Sequence, residues 1–147
     1  MPEHLFTVVA RGHAVDAQTN NLTLFSVLEE VAGSNLPFAV PDTTIVTLWK
    51  RRDAEEGVTF IQRTRLIDPE GNEVFHGDST FRLDKPRHRN IVTVEMAPFF
   101  RAGCYRVEVL IRRDDEEKWS SPVASYPIEI SARVPAAREE LFEEPTG

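Results

Sequence analysis

The sequence predicts an all-β domain, an antiparallel sandwich of two sheets. Three observations carry this. First, Gly103 to Ser131 reads as one β-hairpin: Gly103-Cys-Tyr-Arg-Val-Glu-Val-Leu-Ile-Arg-Arg113 alternates apolar and charged residues, Asp114-Asp-Glu-Glu-Lys118 makes a charged tip, and Val123 to Ser131 alternates again. Second, such runs recur along the chain, about eight in all, with turn signals at regular spacing. Third, 147 residues with 41% hydrophobic and 28% charged content suit one globular domain. A chain of this length buries roughly 70% of its unfolded surface, so its core needs no metal or disulfide.

The first run, Leu5 to Val15, alternates as a strand, with Phe6, Val8 and Ala10 on one face and Thr7 and Val9 on the other. Asp16-Ala-Gln-Thr-Asn-Asn21 is a turn cluster whose side chains bond their own backbone. Leu22 to Val31 fits two templates. Leu24, Phe25, Leu28 and Val31 fit a helical face capped by Asn21, while Thr23, Phe25 and Val27 fit a strand face. The short turn before it favours a strand in a hairpin with the first.

Thr43 to Arg51 is the next strand, and its continuous apolar run Ile45-Val-Thr-Leu-Trp49 suggests burial on both faces. Val58 to Ile67 is expected to pair with it through Arg52 to Gly57. Asp68-Pro-Glu-Gly-Asn72 is the clearest turn, with Pro presetting φ and Gly free to take a positive one. Glu73 to Phe75 and Ser79 to Leu83 read as a strand interrupted around Gly77. Asn90 to Met96 is another strand, and Pro98 to Gly103 is the corner before the last hairpin. Arg51-Arg-Asp-Ala-Glu-Glu56 echoes Arg112-Arg-Asp-Asp-Glu-Glu117, and both are expected as charged hairpin tips. Residues 1–133 are therefore expected to form the sandwich, and residues 134–147 an acidic, flexible tail.

A net charge of −7 and a pI near 5.1 argue against a nucleic-acid partner. Lys50-Arg-Arg52 is cancelled by Asp53, Glu55 and Glu56, so Lys85-Pro-Arg-His-Arg89 is the one candidate basic patch. No apolar run approaches the ~20 residues of a membrane span. The acid in Met1-Pro-Glu-His4 is unlike a signal peptide. The single cysteine, Cys104, excludes an internal disulfide. A bacterial cytoplasm is the expected location.

No nucleophile elbow, phosphate-binding glycine loop or metalloprotease motif occurs, so no catalytic residue, metal or cofactor is expected. His76-Gly-Asp78 places two ligand types two residues apart, without a third. Cys104 has no local base and suits a half-buried apolar role. The densest uncharged-polar group is Asp16, Gln18, Asn20 and Asn21. Amides on a rigid hairpin can recognise sugars, peptides or nucleobases, and the same residues build ordinary turns. Trp49 lies inside an apolar strand and suits the core. Trp119 follows the charged tip and would be a contact anchor if exposed.

Three segments together resemble a family of small bacterial proteins of unknown function. They are Val15-Asp-Ala-Gln-Thr-Asn-Asn-Leu-Thr-Leu-Phe-Ser-Val-Leu-Glu-Glu30, Leu66-Ile-Asp-Pro-Glu-Gly71 and Gly103-Cys-Tyr-Arg-Val-Glu-Val109. The resemblance implies an immunoglobulin-like sandwich and supports the strand at Leu22 to Val31. It brings no activity with it. The expected function is a non-enzymatic interaction module, with a protein partner or self-association through an edge strand or sheet face. The alternatives are a homo-oligomeric structural protein, or a small-ligand binder or enzyme using the polar group around Asp16 to Asn21, in which Asp16, Gln18, His76 or Asp78 would have to converge on one pocket.

Overall fold

Two sheets pack face to face. The structure, a computed structural model, describes residues 1–132. The expected acidic tail lies outside the described residues. The strands are β1 (Glu3–Val15), β2 (Leu22–Val27), β3 (Glu30–Ala32), β4 (Phe38–Lys50), β5 (Thr59–Ile67), β6 (Glu73–Arg82), β7 (Arg87–Phe99), β8 (Gly103–Arg113) and β9 (Ala124–Ser131). A four-stranded sheet has the order β2-β1-β4-β7, and a five-stranded sheet the order β3-β9-β8-β5-β6. All pairings are antiparallel except β3 with β9.

The expected hairpins at both ends of the chain form. β1 pairs with β2 from Val15↔Leu22 to Ala10↔Val27, and β8 pairs with β9 from Gly103↔Ile130 to Val109↔Ala124. The segment Leu22 to Val31 is extended, not helical, but it is split. At Leu28 the chain leaves the four-stranded sheet, and β3 joins the other sheet beside β9. Leu28 is buried in the core at that crossing, and its N–H donates to the Val9 carbonyl at 2.8 Å.

Two expectations are overturned. β4 and β5 do not form a hairpin: β4 lies between β1 and β7, and β5 lies between β6 and β8 in the opposite sheet. Arg51 to Glu56 is therefore a crossing between layers, not a hairpin tip. It carries a short 3-10 turn at Asp53–Glu55, and Glu55 turns inward to meet the Met1 amine at 2.9 Å. Nearly continuous apolar character in β4 reflects its central place in its sheet, which adjacent sequence cannot reveal. Nor is β6 interrupted at Gly77. It pairs with β5 on both sides of that residue, through His76↔Arg65 and Asp78↔Arg63.

The inward faces make two apolar clusters. The larger contains Val9, Ile45, Leu66, Phe99, Tyr105 and Ile128 among others. The smaller holds Trp49, Phe60, Phe81, Leu83, Val109 and Ile111. Trp49 is buried, as its strand context predicts. Tyr105 closes the β7–β8 corner: its hydroxyl accepts from the backbone N–H groups of Phe100 and Arg101 at 3.1 and 3.3 Å.

The β1–β2 hairpin does not run straight on. Arg89 stands level with Leu48, which stands level with Phe6. Val15 is nine residues beyond Phe6, or about 30 Å along a straight strand. Yet Nη2 of Arg89 donates to the carbonyl of Asn20 at 2.9 Å. The hairpin must therefore turn back along the outer side of the four-stranded sheet. Ser26, with φ of 52°, provides a kink. Thr44 and Val46, which alternate outward on β4, are buried as such a cover requires.

Candidate functional site

One level of the interior is polar, and it separates the two apolar clusters. Residues of β1, β4, β5 and β7 meet there. Gln62 is the hub. Its Oε1 accepts from Trp49 Nε1 and from Asn90 Nδ2, both at 2.8 Å. Its Nε2 donates to Thr64 Oγ1 at 2.9 Å and, at 3.5 Å, to Thr47 Oγ1. The hydroxyls of Thr47 and Thr7 meet at 3.1 Å, and Thr7 meets His4 Nε2 at 2.7 Å. On the other side His88 Nε2 lies 2.7 Å from Asn90 Oδ1. Among the described residues no buried side-chain nitrogen or oxygen lacks a partner. A seam satisfied in this way can rigidify a core, whereas a broken one would leave costly unpaired groups.

The seam ends at two side clefts. One, about 240 Å³, lies between β1 and β9 and is lined by His4, Thr7, Ala124, Ser125, Tyr126 and Pro127. Burial lowers the His4 pKa from its ordinary value. The other, about 480 Å³, lies between the edge strands β6 and β7, where Thr64, Phe75, Gly77, Val92, Val94 and Glu95 form much of its wall. A third groove, about 610 Å³, carries Glu29, Glu30 and Glu129 beside Tyr126. Burial first, and then Glu29, pushes the Tyr126 phenol up.

The residues singled out in the sequence lie elsewhere. Asp16, Gln18, Asn20 and Asn21 occupy the β1–β2 turn. Oδ1 of Asp16 accepts from the N–H groups of Gln18 and Thr19 at 2.8 and 2.9 Å. Those backbone bonds, Thr19 first, hold the Asp16 carboxyl below the usual range. Asn20 takes φ of 61°, a left-handed conformation asparagine tolerates. The turn chemistry expected of these residues is thus in place, and Arg89 anchors the tip.

Trp119 lies on the five-stranded sheet, half-buried. The guanidinium carbons of Arg63 and Arg112 sit over its ring, 4.4 and 4.9 Å from the centroid. Arg63 is itself clamped by Asp78, with Nε–Oδ1 and Nη2–Oδ2 distances of 2.8 and 3.0 Å. That bond holds the Asp78 carboxyl below its ordinary value. His76 turns to Glu73 at 3.0 Å. Asp16 and Gln18 therefore sit on one sheet, and His76, Asp78 and Trp119 on the other. Cys104 is half-buried, and burial pushes its thiol up. Of the basic patch, Arg87, His88 and Arg89 fall on β7, with His88 stacked on Phe81 at 4.5 Å.

Neither the seam nor the β6–β7 cleft was anticipated. A signal existed for the seam: Thr7, Thr47 and Gln62 are polar residues at positions whose strand parity is inward. At Gly77 the sequence reads as a break, because nothing local says that the strand continues past it.

Fold and site together define a β-sandwich domain whose sheets are joined by a buried amide–indole seam and flanked by open side clefts. Among the described residues no helix is long and apolar enough to cross a membrane. The chain belongs to a family of unknown function, DUF6941, whose profile matches residues 9–124. No curated protein matches the chain.

Proposed function

We propose that this domain is a non-enzymatic interaction module with an immunoglobulin-like topology. The topology is supported by β3 joining β9 in parallel while β1 pairs with β4 in the other sheet. It is also supported by Tyr105, whose hydroxyl caps the corner upstream of its own strand, as a tyrosine corner does. The free thiol of Cys104 and the resemblance to small bacterial proteins support a bacterial cytoplasm.

One observation carries the interaction role. Large apolar side chains stand on the surface: Phe25 is 52% exposed, Met96 58% and Phe100 57%. Exposed aromatic and methionine side chains are the residue types that anchor protein contacts. A photo-crosslinking residue placed at each of the three positions, in cells making the full chain, tests this. A discrete adduct with one protein, or with a second copy of the chain, is expected. Absence of an adduct at all three positions, together with turnover in a substrate screen, would overturn the proposal.

A further inference from the structure

We propose that the cleft between β6 and β7 receives an extended segment of a partner polypeptide, bearing alternate apolar residues and a basic residue opposite Glu95. This rests on the interaction reading above and assigns it a place. Gly77 is the first argument. It lies in the middle of an edge strand, paired with Thr64, and shares the inward side of β6 with Phe75 and Phe81. Its backbone is outside the left-handed region, and a Cβ there would meet no atom within 4 Å. Among the described residues neither conformation nor crowding requires a glycine. Glycine inside a strand weakens it, and commonly marks a close approach by a ligand or another backbone. Here its effect is to leave open space beside Thr64, at the floor of the cleft.

The second argument is the frame. Among the described residues β6 and β7 are the last strands of their sheets on this side, and each has one unpaired edge. Unpaired strand edges bind extended chains through main-chain hydrogen bonds, with pockets taking alternate side chains. Phe75, Val92, Val94 and Met96 offer apolar wall to such side chains.

Charge selects the occupant. Glu95 is exposed on the rim. The chain carries −7, so a second copy would be repelled and a basic segment attracted.

The test pans a random dodecapeptide library, displayed on phage, against the full chain and against Gly77→Val. Enriched peptides are expected to alternate apolar residues and to contain lysine or arginine. A synthetic consensus peptide should bind Gly77→Val at least tenfold more weakly, although that variant melts at the same temperature as the parent or higher. Should the valine variant fail to fold, Gly77→Ala adds a single methyl to open space and should still weaken binding. Glu95→Lys should weaken basic peptides severalfold. No enrichment over Gly77→Val, or a concentration-dependent dimer that Gly77→Val abolishes, overturns the proposal. Peptides bound equally by parent and variant overturn the cleft while leaving the interaction role standing.

Discussion

Trp49 on β4 donates its indole N–H to Oε1 of Gln62 on β5 at 2.8 Å, and both side chains are almost wholly buried. The bond joins the two sheets at the level where the apolar clusters part. Gln62→Leu keeps the bulk and leaves the Trp49 indole N–H and the Asn90 amide without their acceptor. Each unsatisfied buried donor costs about 1–3 kcal/mol, so a loss of about 2–6 kcal/mol is expected in urea denaturation. Adding Trp49→Phe to that variant should cost less than the two single losses summed, because the orphaned indole donor is gone. Strict additivity would mean that the seam is not coupled.

Tyr105→Phe removes the acceptor of two corner N–H groups while keeping the ring against Phe99, whose centroid is 4.9 Å away. A loss of about 1–2 kcal/mol is expected. Hydrogen exchange should quicken first at Phe100 and Arg101.

Stability should depend on pH through His4. Its folded pKa lies below the ordinary value of 6.5, so the unfolded chain binds a proton more readily. The neutral imidazole's contribution is complete above 6.5 and is lost as pH falls toward the folded value. Urea midpoints measured from pH 8 down to 5 should decline below 6.5. His4→Asn should flatten that decline; an unchanged slope would assign it to other groups.

Arg89→Ala frees the tip of the β1–β2 hairpin from its bond to the Asn20 carbonyl. Global stability should fall by less than about 1.5 kcal/mol, the net worth of one exposed bond. Hydrogen exchange over residues 12–25 should nevertheless accelerate, and Val46 amide protection should fall. Unchanged exchange there would show that the hairpin holds its position without Arg89.

Local chemistry was legible wherever the pairing partner is near in the chain. The β8–β9 hairpin follows from alternation on both sides of a charged tip. The turn at Asp68 to Asn72 follows from Pro69 and Gly71, which does take a positive φ of 89°. The β1–β2 turn follows from Asp16, whose carboxylate caps two backbone N–H groups. The echo between Arg51 to Glu56 and Arg112 to Glu117 misled for the same reason. Closely similar charged turns serve a hairpin or a crossing equally well, because a turn's residues encode its own dihedrals and not the sheet its next strand joins.

By itself the sequence determined the all-β class, the burial of Trp49 and the turn geometry at Asp16, and it favoured strand over helix at Leu22 to Val31. Each depends on period, parity or a side chain bonding its own neighbours. Tertiary structure alone decided that β4 and β5 lie in opposite sheets and that β3 crosses to β9. It also decided that Gln62 gathers Trp49, Thr64 and Asn90 into one seam, and that Gly77 opens a cleft. Those outcomes depend on which distant strands share a layer, a choice made by the packing of whole apolar faces rather than by any local run of residues.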